Sequence, residues 1–413
     1  MNFTRTTNPI SHGRRARLLG IASAWCLAAL GPVQAQDIVV RKGAGTRATI
    51  EWTGFAAQGI GGAVAEVAQA DLNRSGWFRV VATPGAEYRV VGEARDDGGA
   101  LRAQCTVYET ASGRAVLRRT YSGTPAQARA VAHRMADDIV EAITGRKGFA
   151  SAKLVVVGNR TGFKELYVCD SDGQNLIQLT QDRSISLYPR WGGRNEYITY
   201  TAYLRNHPAA YRIHVATGQR DLLAGFAGLN MSPVLSPDGR SCALVMSREG
   251  NPELYVQTPP GGAATRITRT LQAAEATPTW SPDGSQICFV SDLAGRPQLF
   301  VVSRQGGAPR RLTTRGVENV SPNWGPDGRI VYATRVGNQY RLCVLDPTTG
   351  QSTPVGPEDA SYEEPSWAPN ARHVACTRVA GYRASICLVD TVTGETVTLL
   401  SGSGDWCAPD WTR

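Results

Sequence analysis

Four histidines follow residue 35, at positions 133, 207, 214 and 373. None belongs to a His-Glu-x-x-His pair, which would put two zinc ligands and a general base on one helix face. No Gly-x-Ser-x-Gly elbow presents a serine nucleophile. His133 and Asp137 stand four apart in "AHRMADDIVEAITG", a spacing that places both on one face of a helix. A polar flank beside an apolar stripe accounts for them without a site. "CDSDGQN" (169–175) spaces Asp170 and Asp172 as a calcium loop does, but it is too short for an EF-hand. It sits where neighbouring segments carry a hairpin, and a turn is the simpler reading. Glu318, Glu363 and Glu364 gather acidic charge in segments where a cation could be held; no other cofactor or metal is expected.

Cysteine chemistry is the second candidate. Eight cysteines lie beyond residue 35, none in a Cys-x-x-Cys pair, so a thiolate zinc site is not expected. Cys376 lies in "HVACTRV" and Cys387 in "RASICLVD". A connecting loop at 380–383 makes Val379 face Ala384 and Cys376 face Cys387. The pair takes the places that Phe289 and Phe300 hold in another repeat. Directly opposed residues have the Cα separation a disulfide requires. Either a cross-strand bridge or two packed free thiols follows.

The elements that position these residues recur. "LSPDG" at 235, "WSPDG" at 280, "WGPDG" at 324, "WAPNA" at 367 and "WGGRN" at 191 are variants of one phrase. Proline fixes φ for the first central position of a turn, aspartate suits the second, and glycine takes the left-handed conformation. The tryptophan, or its leucine stand-in, falls at 191, 235, 280, 324, 367 and 411, with gaps of 44, 45, 44, 43 and 44 residues. Between turns lie short β-rich runs such as "QICFVS", "QLFVVS" and "RIVYATR". Repeats of about 40–50 residues built from four short strands are propeller blades. The segment 152–180 has three strands and no preceding Pro-x-Trp strand, whereas "CAPDWTR" at the end of the chain is such a strand with no blade after it. The two complete each other. The sequence predicts an α/β N-terminal domain (36–147) followed by an all-β six-bladed β-propeller (148–413, WD40-like repeats) closed by the C-terminal strand.

Arg14, Arg15 and Arg17 precede the apolar run "LLGIASAWCLAALG", and "VQA" ends at Ala35. This pattern predicts an export signal over 1–35, cut after Ala35. The 44 basic and 35 acidic residues leave +5 once four arginines depart with the signal. No basic stripe appears, so nucleic acid is not an expected partner. No later run is apolar enough for membrane insertion.

Residues 37–147 do not follow the 44-residue period. "GGAVAEVAQADLNRSGWFRVV" reads as a helix, with Val64, Val67, Ala68 and Leu72 on one face, running into a strand. "TPAQARAVAHRMADDIVEAITG" reads as a second helix, with Thr124 and Gln127 as a capping box, Pro125 in the first turn and Gly145 as its stop.

"ADLNRSGWFRVV" (70–81), "AHRMADDIVEAITGRKG" (132–148) leading into a first propeller strand, and repeats including "AGRPQLFVV" (294–302) resemble the TolB family, periplasmic components of the Tol–Pal envelope system. The resemblance covers essentially all of 36–413; "WAPNA" and "WGGRN" depart from the usual turn. It implies a monomeric, non-enzymatic protein in the periplasm. It also implies that the propeller face binds the lipoprotein Pal, that the mature N-terminal arm engages a TolA-type inner-membrane protein, and that the system supports outer-membrane constriction during division. By the same resemblance, the Pal-contacting loops hold Leu229, Asn230, Met231, Ser232, Glu275, Thr277, Glu318, Asn319, Tyr362 and Glu363. A protruding Met231 and Tyr362 would form its core. The arm is Asp37, Ile38, Val39, Val40, Arg41 and Lys42. The competing reading is a propeller-scaffold lyase or a glycan- or peptide-processing enzyme that uses channel residues.

Overall fold

The computed structural model describes residues 46–56, 59–204 and 207–413. The export signal and the arm residues Asp37 to Lys42 lie outside the described residues. No helix among the described residues is long and apolar enough to cross a membrane.

The first part is an α/β module. Strand β1 (Ala48–Ala56) is followed by helix α1 (Ile60–Arg74), then β2 (Phe78–Val81), β3 (Tyr88–Asp96), β4 (Leu101–Glu109), β5 (Ala115–Gly123) and helix α2 (Ala128–Thr144). The sheet order is β2-β1-β3-β4-β5. β1 pairs in parallel with both β2 and β3, and α1 supplies the crossover that parallel pairing needs. Val64, Ala65, Ala68 and Leu72 of α1 and Val131, Met135 and Ile139 of α2 pack on Ile50, Val90, Ala103 and Val107 of the sheet. The Thr124–Gln127 capping box forms, over one 3₁₀ turn, and Gly145 ends α2 in the left-handed conformation with φ 68°.

Six four-stranded antiparallel sheets follow. Their innermost strands are Ser186–Gly192, Asn230–Leu235, Glu275–Trp280, Asn319–Trp324, Ser361–Trp367 and, for the first blade, Trp406–Trp411. This last strand pairs with Lys153–Gly158, so the chain end completes the sheet its beginning opened. The repeated turn works as its residues dictate. Ser281 Oγ donates to Asp283 at 2.5 Å and accepts from Gln286 N at 2.9 Å, with Gly284 at φ 69°. In "WGPDG" a Cβ on Gly325 would meet the Trp367 ring at 2.7 Å, which accounts for glycine replacing serine there.

Blades stack through apolar faces: Trp280, Ile287 and Phe289 of the fourth pack on Val234, Ala243 and Leu254 of the third. A polar stitch runs beside them. The residue before the repeat tryptophan accepts the N–H of the next blade's tryptophan: Thr279 from Trp324 at 3.1 Å, Asn323 from Trp367 at 3.1 Å, Ser366 from Trp411 at 3.4 Å and Asp410 from Trp191 at 2.8 Å. Asp410 also accepts from Arg190 at 3.1 Å and Ser366 at 2.8 Å, so the closing strand ties the sixth and second blades.

Cys376 and Cys387 face each other directly, as Phe289 and Phe300 do. Both are buried, and in this structure both thiols are free. The two sulfurs turn to different partners: Cys376 Sγ to the Cys387 carbonyl at 3.7 Å, and Cys387 Sγ to Thr398 Oγ1 at 3.7 Å. Burial pushes the Cys376 thiol well up, so it stays protonated and unreactive.

The α/β module packs against one end of the ring. Arg372, in the first hairpin of the sixth blade, donates to the Gly76 carbonyl at 3.0 Å, pairs with Asp390 at 2.7 Å and lies 4.4 Å over the Trp77 ring. A Cβ on Gly76, itself at φ +75°, would meet Asp390 at 2.5 Å; the "RSGW" turn therefore needs glycine. Phe149 packs on His373 at 4.7 Å and edge-on to Trp411 at 5.7 Å. Burial depresses the His373 pKa to about 4, which keeps the ring neutral.

Candidate docking face

The innermost strands each carry an X-Pro step, at prolines 189, 233, 278, 322, 365 and 409. The residue before each proline is left-handed: Tyr188 φ 51°, Ser232 φ 50°, Thr277 φ 43°, Ser321 φ 53°, Glu364 φ 49° and Ala408 φ 50°. The pairing register shifts at each of these steps. This is a bulge repeated around the axis, and a bulge re-aims side chains. The six residues form a ring around the channel, which narrows there to a void of about 30 Å³. Glu364 at this ring accepts from Thr377 Oγ1 and Ala408 N, both at 2.8 Å, while burial raises its pKa.

The bulge sorts the expected docking residues into three rows. Three positions before the proline stand Ser186, Asn230, Glu275, Asn319, Tyr362 and Trp406, all buried between blades. Asn230, Glu275, Asn319 and Tyr362 are therefore not surface contacts. Asn230 Nδ2 donates to the carbonyls of Phe226 at 2.7 Å and Pro208 at 3.1 Å. Asn319 Nδ2 donates to Arg315 O and Gln298 Oε1, both at 2.8 Å. Tyr362 is 1% exposed and donates to Asp359 at 2.7 Å; the expectation that it protrudes is wrong. Glu275 accepts from Thr270 Oγ1 at 3.0 Å, and burial pushes its pKa up to about 7.

Two positions before the proline, Leu187, Met231, Ala276, Val320, Glu363 and Cys407 are half-buried; Ala276, Val320 and Cys407 among them pack against the cores between blades. Ser232 and Thr277 belong to the left-handed ring below. Glu363 accepts from Ser361 at 2.7 Å. Glu318 is held by Tyr340 at 3.0 Å and Arg335 at 3.2 Å. Of the ten positions, Leu229, Met231, Glu318 and Glu363 thus stand where a partner could touch them.

The sequence reading missed the apolar rim around them. The loops that enter the innermost strands and those joining second to third strands share one end of the ring. These loops expose Phe163, Ile185, Leu204, Phe226, Leu229, Leu271, Leu293, Val317, Val336 and Tyr382, with Leu271 at 97% and Tyr382 at 102%. Among the described residues, the other large exposed apolar side chains are Ile177, Leu222 and Val397 on outer strands and Val392 at the opposite end. Single exposed apolar residues are ordinary, but their concentration on one face marks an interaction surface. The α/β module contacts the opposite end, through Arg372, Asp390 and the 170–172 hairpin, and leaves this face open.

The TolB beta propeller domain model matches residues 140–413. The chain belongs to the TolB family. The Tol-Pal system protein TolB of Gluconobacter oxydans is 34% identical over 384 residues, covering 86% of this chain and 83% of that one. A TolB homolog of Chlorobaculum tepidum is 35% identical over 192 residues; the match spans 46% of this chain and 44%, less than half, of that relative's length. Among solved structures, TolB from Acinetobacter baumannii superposes with a TM-score of 0.81 at 25% identity, over 89% of this chain and 97% of the other. The fold is thus shared with that solved TolB over nearly its whole length.

Proposed function

We propose that the chain is a periplasmic, non-enzymatic docking component of the Tol–Pal system. In this reading a Pal-type lipoprotein seats on the apolar rim, over Leu229, Met231, Leu271 and the mouth residues Glu318 and Glu363. A TolA-type inner-membrane protein engages the arm from Asp37 to Lys42, and the assembly supports outer-membrane constriction during division. The observation that carries the reading is the concentration of ten exposed apolar side chains on the face opposite the α/β module. Apolar anchors within a polar rim are what a protein interface requires. At the constriction formed by the left-handed residues, chemistry is disfavoured by size: the void of about 30 Å³ there is far below the roughly 300–1,000 Å³ of a ligand pocket.

Calorimetric titration of the purified chain with a Pal-type lipoprotein tests this. The double variant Leu229→Asp, Leu271→Asp is expected to weaken binding about tenfold or more, since each charge would be buried in the interface. Unaltered affinity, or turnover of a polysaccharide or peptide library without partner binding, would favour the enzyme reading.

A further inference from the structure

Two features that the sequence presents as unrelated meet where the α/β module touches the first blade. His133 on α2 is 3% exposed, and its neighbours across the contact are Asp170 and Asp172 of the "CDSDGQN" hairpin. His133 Nδ1 lies 2.6 Å from Asp71 Oδ2 on α1. A carboxylate accepts, so Nδ1 carries the proton, and Nε2 is the atom turned to the hairpin. Nε2 is buried without a hydrogen-bond partner; Asp170 Oδ2 stands 3.6 Å away. One donor atom from each of His133, Asp170 and Asp172 lies within 4.8 Å of the others.

We propose that His133 Nε2, Asp170 and Asp172 form a site for a divalent first-row transition ion of the zinc class, bridging the α/β module to the propeller. One imidazole nitrogen and two carboxylate oxygens suit such an ion, with water as a fourth ligand. Asp71 behind His133 supplies the arrangement in which a carboxylate fixes the ring of a metal-bound histidine and raises its basicity. Asp71 is itself held by Arg74 at 2.7 Å, so the histidine's orientation does not depend on the ion.

Two cations now occupy the carboxylates. Arg129 bridges Asp172 at 2.5 Å and Asp170 at 3.4 Å, and Lys153 pairs with Asp170. Asp170 Oδ2 also accepts from Asn175 Nδ2 at 2.7 Å, so the ion competes with Arg129, Lys153 and Asn175; the partly exposed Arg129 and Lys153 side chains can swing outward, and any proton on Nε2 leaves to solvent. A tetrahedral zinc at about 2.0 Å from each ligand needs donors about 3.3 Å apart, so the hairpin must close slightly. Asp172 sits in the turn of that hairpin, before Gly173 at φ 82°.

The test is titration of the untagged full chain with zinc chloride, followed by calorimetry, and with cobalt(II), followed by visible absorption. One zinc per chain and a cobalt band with a histidine-dependent position are expected. Asp172→Asn, an isosteric change in the hairpin turn, is expected to weaken binding at least tenfold without unfolding the ring, and His133→Gln to abolish the band. Arg129→Ala is expected to tighten binding several-fold by removing the competitor. A purely structural ion-pair cluster predicts otherwise. Failure to bind one equivalent, or equal affinity in wild type, Asp172→Asn and His133→Gln, overturns the site.

Discussion

Asp410, three residues from the chain end, accepts the backbone N–H of Trp191 at 2.8 Å across 219 positions of sequence. The same carboxylate holds Arg190 and Ser366, and it is 1% exposed. The three blades that meet at the closure thus share one buried acceptor. Asp410→Ala leaves the Trp191 N–H and Ser366 hydroxyl without an acceptor and Arg190 without its counter-charge. The expected loss is about 3–5 kcal/mol, the range for breaking a buried pair. Urea denaturation checks it; a loss below about 1 kcal/mol would show that closure rests on apolar packing alone.

Glu275 gives the ring a pH dependence. Burial raises its pKa from 4.5 to about 7, so the folded chain holds this proton more tightly than the unfolded one. The contribution is full below about pH 4.5 and is lost as pH rises through about 7. Its size is on the order of 2–3 kcal/mol. Glu275→Gln, which keeps the shape without the charge, is expected to flatten this part of the stability profile between pH 5 and 8. Parallel profiles for the two proteins would contradict it.

Thr277 is β-branched and left-handed at φ 43°, a conformation that costs roughly 1–3 kcal/mol for such a residue. Thr277→Gly removes that strain and adds glycine's backbone entropy cost of about 0.5–1 kcal/mol. A neutral to slightly stabilising change in melting temperature is expected, whereas a glycine in an unstrained strand position would destabilise.

The period and the turn chemistry made the ring legible. Each blade must place the same proline, tryptophan and glycine to turn, pack and close, so the phrase repeats with its spacing. The closing strand was legible because two incomplete repeats, at 152–180 and 406–413, complement each other. The docking residues were harder to read. A strand alternates its sides, and from "SYEEPSW" alone Tyr362 could stand on the outer lip. The bulge at each X-Pro step breaks the alternation, and it is the residues three before the proline that turn between blades. The rim anchors Leu271 and Tyr382 lie in loops with no repeated pattern, and only the path of the chain brings them to one face. His133 and Asp170 are 37 positions apart on different elements, and no local pattern joins them.

Met231 and Tyr362 separate surface from core. Met231→Glu at the half-buried mouth is expected to weaken lipoprotein binding about tenfold with the fold intact. Tyr362→Glu would bury a charge among Val331, Leu342 and Val344, and is expected to cost at least about 3 kcal/mol of stability. Circular dichroism melting, run beside the binding titration, distinguishes the two effects. Equal stability losses would place Met231 in the core as well.

Hydrogen–deuterium exchange of the full chain, with and without a Pal-type lipoprotein, tests the central claim most directly. The account predicts slowed exchange in the loops holding Phe226, Leu229, Leu271, Val317 and Tyr382, and none in the hairpins around Asp238, Asp283 and Asp327 at the opposite end. Protection confined to those opposite hairpins, or no protection at saturating lipoprotein, would contradict it.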